Sequence, residues 1–132
     1  MIGLDTNVIV RFLAQDDDIQ SPIAARQFAR LSREVPGFVS TVVLAEVSWV
    51  LSRSYGAARA ELAAAIEGLL RSAELRIENA EAAWRALGVF QSGRSVEFAD
   101  ALIAEIAALA GASQTVTFDQ RASAEAGMKL LA

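Results

Sequence analysis

Apolar positions recur along this chain in two rhythms. Short runs at Ile2 to Leu4, Phe38-Val39, Leu75-Arg76-Ile77, Thr115 to Phe118 and Met128 to Leu131 are strand-length. Longer stretches repeat every three or four residues and predict helices. These are Val8 to about Leu13, then Ala24-Phe28-Leu31-Val35, then Val42 to about Arg53, and Leu62-Ile66-Leu69-Leu70 within Ala57 to Leu70. Two more follow: Ala83-Trp84-Leu87-Phe90, and a strongly apolar stretch from Val96 that stops at Gly111. Polar residues mark the starts, with Thr6 or Asn7, Ser21-Pro22, Ser40 or Thr41, and Asn79 as caps. Pro36-Gly37, Tyr55-Gly56 and Gly111 mark the ends. The order is strand, helix, helix, strand, helix, helix, strand, helix, helix, strand, helix, strand. Such alternation predicts an α/β fold with a mostly parallel sheet of about four to five short strands, flanked by helices. Ile2 to Leu4 reads as a buried strand, and the 132 residues as one domain, 1–132.

Set against this frame, four carboxylates fall at equivalent places. Asp5 ends the first strand run and Asp119 ends the fourth. Glu46 sits in the second turn of one predicted helix and Asp100 near the start of another. In a parallel sheet the strand carboxyl ends and the helix starts that follow share one edge, where ligands bind. The four acids are therefore predicted to converge, and acids that converge repel unless hard cations such as Mg²⁺ or Mn²⁺ neutralise them. Each position also has a plainer reading. Asp5 serves equally as a helix cap. Glu46, with Val42, Val43, Trp49 and Val50 three and four residues away, needs either an arginine partner or a cation if it is buried. Glu97, three residues before Asp100, is either an accessory acid or an ordinary first-turn acid. Asp16-Asp17-Asp18 reads as a solvated turn.

Composition narrows the chemistry. Histidine and cysteine are absent, so disulfides, thiolate sites and histidine catalysis are excluded. Hydrolysis must rest on carboxylates, hydroxyls, arginine, Lys129 or Tyr55, with or without a metal. The net charge of −4 argues against holding nucleic acid by charge alone. Of the 12 basic residues all but Lys129 are arginine, which suits bidentate phosphate contacts. Arg11, Arg53, Arg94 and Arg121 lie near the acidic motifs and are candidate phosphate contacts, although each also reads as surface solvation. No apolar run is long enough for a membrane span, and the first strand begins at Met1, leaving no leader.

Four segments carry a resemblance: Leu-Asp-Thr-Asn-Val at 4–8, Leu-Ala-Glu-Val-Ser-Trp-Val-Leu at 44–51, Phe-Ala-Asp-Ala-Leu-Ile at 98–103, and Thr-Val-Thr-Phe-Asp at 115–119. In this order and spacing the chain resembles the PIN-domain ribonucleases, and is most similar to the VapC toxins of bacterial toxin–antitoxin pairs. The resemblance implies a PIN-like three-layer fold and a quartet of Asp5, Glu46, Asp100 and Asp119 around Mg²⁺ or Mn²⁺. Thr6, Asn7 and Thr117 match polar positions beside the acids. It further implies a cytoplasmic endoribonuclease acting on RNA, a homodimer, and inhibition by a small antitoxin whose C-terminal segment covers the active site.

Metal-assisted phosphodiester hydrolysis needs no histidine, so the composition agrees with this reading. Rival acidic α/β folds fit less well. A phosphate-receiver domain needs a second acid beside the first, where Thr6 stands, and a haloacid-type phosphatase needs one at Asn7. A PIN-like module that only binds RNA or protein, and a housekeeping RNA-processing nuclease, remain as alternatives. The surplus of apolar residues, at 54%, and the resemblance both predict a two-fold dimer. Light scattering at micromolar concentration should report twice the chain mass; a monomer would overturn this.

Overall fold

The computed structural model describes residues 1–132. In chain order the elements are β1 (Ile2–Gly3), α1 (Thr6–Ala14), α2 (Gln20–Ala29), β2 (Gly37–Val39), α3 (Thr41–Trp49), a π-helical turn (Val50–Ser54), α4 (Arg59–Arg71) and β3 (Leu75–Ile77). There follow α5 (Ala80–Ser92), α6 (Phe98–Leu109), β4 (Val116–Thr117), α7 (Gln120–Ala126) and β5 (Lys129–Leu130). The order of strands and helices is the predicted one, and every strand pairing is parallel. The chain is therefore α/β, with helices connecting parallel strands as the geometry of such pairs demands. It divides into two compact units, Met1–Glu78 and Asn79–Ala132. No helix is long and apolar enough to cross a membrane.

In the first unit the strands lie in the order β1-β2-β3, with Gly37 paired to both Ile2 and Leu75. Gly37 has no room for a side chain. A Cβ there would stand 2.7 Å from Leu4 Cδ1, 2.9 Å from Leu31 Cδ1 and 3.0 Å from Leu75 Cδ2. These leucines belong to a core with Ile9, Val39, Leu44, Val47, Leu62, Ile66 and Leu69, all buried. Each such side chain contributes roughly 1.5–3 kcal/mol on burial. Phe12 and Phe28 stack at 3.9 Å between ring centroids and join α1 to α2.

The strands are two or three residues long because capping residues follow at once. Asp5 caps α1, and Ser40 Oγ caps α3 by accepting from Val43 N at 3.2 Å. Four expectations need correction here. Ile2 and Gly3 are exposed, and of the first apolar run only Leu4 is buried. Helix α2 ends at Ala29 rather than near Val35, because Ser32 Oγ accepts from Val35 N and turns the chain. Its start is set by Asp17, which accepts from Ile19 N and Gln20 N, whereas Ser21 is buried and donates to the Arg11 carbonyl. The acidic loop is thus a built turn. Asn79 sits at the start of α5 in the left-handed region at φ 56° without a side-chain capping bond.

In the second unit β4 and β5 pair in parallel, Val116 with Lys129 and Thr117 with Leu130. Helices α5 and α6 pack along each other, and Phe90 meets Phe98 edge to face at 6.3 Å. The loop between them is gathered by one carboxylate. Glu125 Oε1 accepts from the backbone N–H of Arg94, Ser95 and Val96 at 3.0, 3.0 and 2.8 Å. Gly93 precedes the loop, where a Cβ would stand 2.6 Å from that same oxygen. These backbone donors hold the Glu125 carboxyl well below its usual 4.5, at about 2.

Gly37→Ala should lower stability by about 1–3 kcal/mol through overpacking, read as a lower denaturation midpoint; an unchanged midpoint would show that the leucines move aside freely. Because the Glu125 pKa is depressed on folding, its contribution is complete above about 4.5 and is lost as pH falls toward about 2. Glu125→Gln should therefore lower the melting temperature at pH 7 and flatten its fall between those values. Parallel pH curves for the two proteins would remove the clamp from the account.

Candidate active site

The first unit builds a pocket at the carboxyl edge of β1. Strand β1 delivers Asp5, whose Oδ1 accepts from Thr6 N at 2.7 Å. Because Asp5 takes the cap position, Thr6 becomes the first helical residue and its hydroxyl is free for another partner. It donates to Glu46 Oε1, also at 2.7 Å, and so joins the start of α1 to the second turn of α3. Asn7 follows on the same helix. Asp5, Thr6, Asn7, Arg11 and Glu46 line a cavity of about 410 Å³, closed by Val10, Val50, Ser54 and Tyr55.

Glu46 lies off the buried face of α3. Leu44, Val47, Ser48 and Leu51 are buried, whereas Glu46 is exposed and Val42 is 68% exposed. The carboxylate therefore needs no buried arginine, and the pocket that it lines is open to water and ions. Asp5 is exposed as well. Each acid commits one oxygen to Thr6, and each has a second.

A polar rim borders the pocket, built from Arg11 and the three side chains that hold it. Arg11 lies four residues after Asn7 and so on the same face of α1. Its Nε donates to Gln20 Oε1 at 2.8 Å, and its Nη1 donates to Asp16 Oδ1 at 3.4 Å and to the Tyr55 hydroxyl at 3.1 Å. Tyr55 is brought there by the π-helical turn, in which Tyr55 N bonds to Val50 O, five residues back. Bonding to Asp16 raises the Tyr55 pKa above its usual 10.0. The available signal was an arginine in α1 followed closely by three aspartates; the turn that adds Tyr55 leaves no mark in the apolar pattern.

The second unit holds the other two acids. Asp100 is half-buried in the first turn of α6. Asp119 caps α7, its Oδ1 accepting from Ala122 N at 2.9 Å. Thr117 Oγ1 accepts from Asp119 N at 2.9 Å and fixes the turn that presents the carboxylate. Glu97 stands just before α6 without making a capping bond there. The arginines differ in their surroundings. Arg121 Nη2 is 4.0 Å from Asp119 Oδ2, Arg53 lies over the Trp49 ring at 5.5 Å, and Arg94 is exposed.

Neither unit by itself gathers three carboxylates into a group that could hold a metal ion. The Asp5–Thr6–Glu46 set nevertheless suits a hard divalent cation. Its donors are all oxygen, both carboxylates are exposed, and Thr6 holds both beside the same cavity, Asp5 through its backbone N–H and Glu46 through its hydroxyl.

Comparison with known proteins gives one result. The PIN domain family matches residues 2–127. No curated protein matches the chain, and no solved structure does. The match spans nearly every residue, from the strand that delivers Asp5 to the glycine that ends α7, and the chain belongs to the PIN domain family, a family of nuclease type.

Proposed function

We propose that this protein is a Mg²⁺- or Mn²⁺-dependent endoribonuclease and the toxin of a cytoplasmic toxin–antitoxin pair, working as a homodimer over the single domain 1–132. The observation that carries the nuclease reading is the pocket in which Thr6 joins two exposed carboxylates, Asp5 and Glu46, at the carboxyl edge of a parallel sheet. The toxin role and the antitoxin partner rest on the likeness of the four acidic segments to VapC toxins.

Asp5 and Glu46 are the proposed ligands in the first unit, with Asp100 and Asp119 as the other acids of the set. A divalent cation held by Asp5 and Glu46 would polarise phosphate oxygens and make water acidic enough to supply a nucleophile near neutral pH. Hydrolysis is an in-line displacement, in which water attacks phosphorus, the ribose 3′-oxygen leaves, and the downstream fragment keeps a 5′-phosphate. Thr6 fixes Glu46 through Oε1, so that Oε2 can orient a water or accept its proton. Thr117 sets the turn that positions Asp119. Arg11, restrained by Gln20, Asp16 and Tyr55, offsets phosphate charge at the pocket rim without collapsing onto Asp5. Water exchange is easy because the pocket is open.

Asp5→Asn separates catalysis from folding. Asn caps helices about as well as Asp, so a metal-free melt should be unchanged or slightly improved. Cleavage of single-stranded RNA with Mn²⁺ should fall by orders of magnitude. The rise in melting temperature that Mn²⁺ gives the parent protein should shrink. Full activity in Asp5→Asn would reject the mechanism, and a lost metal-free fold would make the carboxylate structural.

A further inference from the structure

Asn7 and Arg11 line a second cavity in the first unit as well as the acid pocket. It lies between α1 and α2, has a volume of about 400 Å³, and is completed by Val8, Gln20, Ile23, Ala24 and Gln27. This size is within the range of small-ligand sites. No carboxylate lines it. Its polar groups are three primary amides and one guanidinium, beside apolar surface that includes Ile23, 53% exposed. Gln20 gives its carbonyl oxygen to Arg11 Nε, which leaves its –NH₂ group as the donor for anything entering the groove.

We propose that this α1–α2 groove is a nucleobase subsite. It takes the base of a nucleotide flanking the phosphate held in the acid pocket, and Arg11, common to both cavities, neutralises the linking phosphate. The proposal rests on the reading of the acid pocket as the place where RNA is cut. Its chemistry is specific to an unpaired base. A primary amide presents a donor and an acceptor side by side, the arrangement that matches a base edge. Apolar side chains such as Val8 and Ile23 cover the flat face of a base splayed from its stack. A cationic ligand would find no counter-charge here, and a wholly apolar one would leave the amides without hydrogen bonds. A base stacked inside a duplex is not splayed out and so does not enter the groove. The acid pocket would thus supply the chemistry, and the amide groove the preference for what is cut.

The test uses the whole protein and tetraribonucleotides of each of the four bases. In buffer with a chelator to prevent cleavage, the side-chain amide signals of Gln20 and Gln27 are followed by nuclear magnetic resonance. The expected result is movement of both signals and a ranking of the four tetramers. Gln27→Ala should weaken the preferred tetramer by about tenfold, the scale of one bidentate base contact, and compress the ranking. With Mn²⁺, Gln27→Ala should raise KM for the preferred sequence and leave kcat largely intact. The subsite is overturned if no tetramer moves the groove signals, or if Gln27→Ala leaves ranking and affinity unchanged. The two readings fail separately. A parent protein that shows the groove shifts but cuts no RNA loses the nuclease assignment and keeps the subsite. One that cuts RNA with silent groove signals keeps the nuclease assignment and loses the subsite.

Discussion

The shortness of the strands governs how this protein presents its chemistry. A parallel strand of two or three residues leaves one or two positions between its last ladder bond and the first turn of the next helix. Asp5, Ser40 and Asp119 occupy those positions. Each must satisfy helix amides with a side-chain oxygen, so the junctions are polar by necessity. A carboxylate there caps a helix and also faces the edge of the sheet. The same constraint makes Thr6 helical from its backbone nitrogen onward and leaves its hydroxyl for Glu46. Folding and site construction share these residues. That is why Asp→Asn is an informative change and a larger substitution would confound the two.

Charge is arranged locally in a chain that is acidic overall. Arg11 lines the pocket of the proposed metal-holding acids, yet it donates to Gln20, Asp16 and Tyr55 rather than to Asp5 or Glu46. An arginine left to pair with those carboxylates would compete with a cation for them. The acidic loop after α1 therefore has a use that its solvated appearance conceals: Asp16 restrains the arginine and Asp17 starts α2. Exposed ion pairs contribute little to stability, so the value of Asp16 lies in where it keeps Arg11.

The succession of strands and helices was legible because apolar period and capping residues agree along most of the chain, as at Ser40 before α3 and Leu62-Ala63-Ile66-Leu69 in α4. The acid positions at strand ends were legible for the same reason. The face of Glu46 was not. Helix α3 is apolar on nearly every side, so spacing alone gives no preference between the Leu44–Val47 face and the Val42–Glu46 face, and packing against the rest of the unit decides. The end of α2 was hidden because Leu31 and Val35 keep the helical period after the helix has stopped. Leu31 still reaches the core from a turn, while Val35 is exposed. Ile2 misled in another way: a two-residue strand at the edge of its sheet has a face that no neighbour in that sheet covers.

The π-helical turn between Val50 and Ser54 amounts to one residue more than an α-helix would need over the same span. Losing any one residue of that turn would let α3 continue with regular geometry. Every side chain beyond it would then rotate by about 100° around the helix axis and retreat by about 1.5 Å. Tyr55 would swing off Arg11 and Asp16, and the pocket would lose one wall while each acid kept its place. A length difference of a single residue between related chains at this point would thus alter the restraint on the arginine without touching any carboxylate. The wider lesson is that in this fold the register of a helix, as well as the identity of its residues, can be inherited or lost.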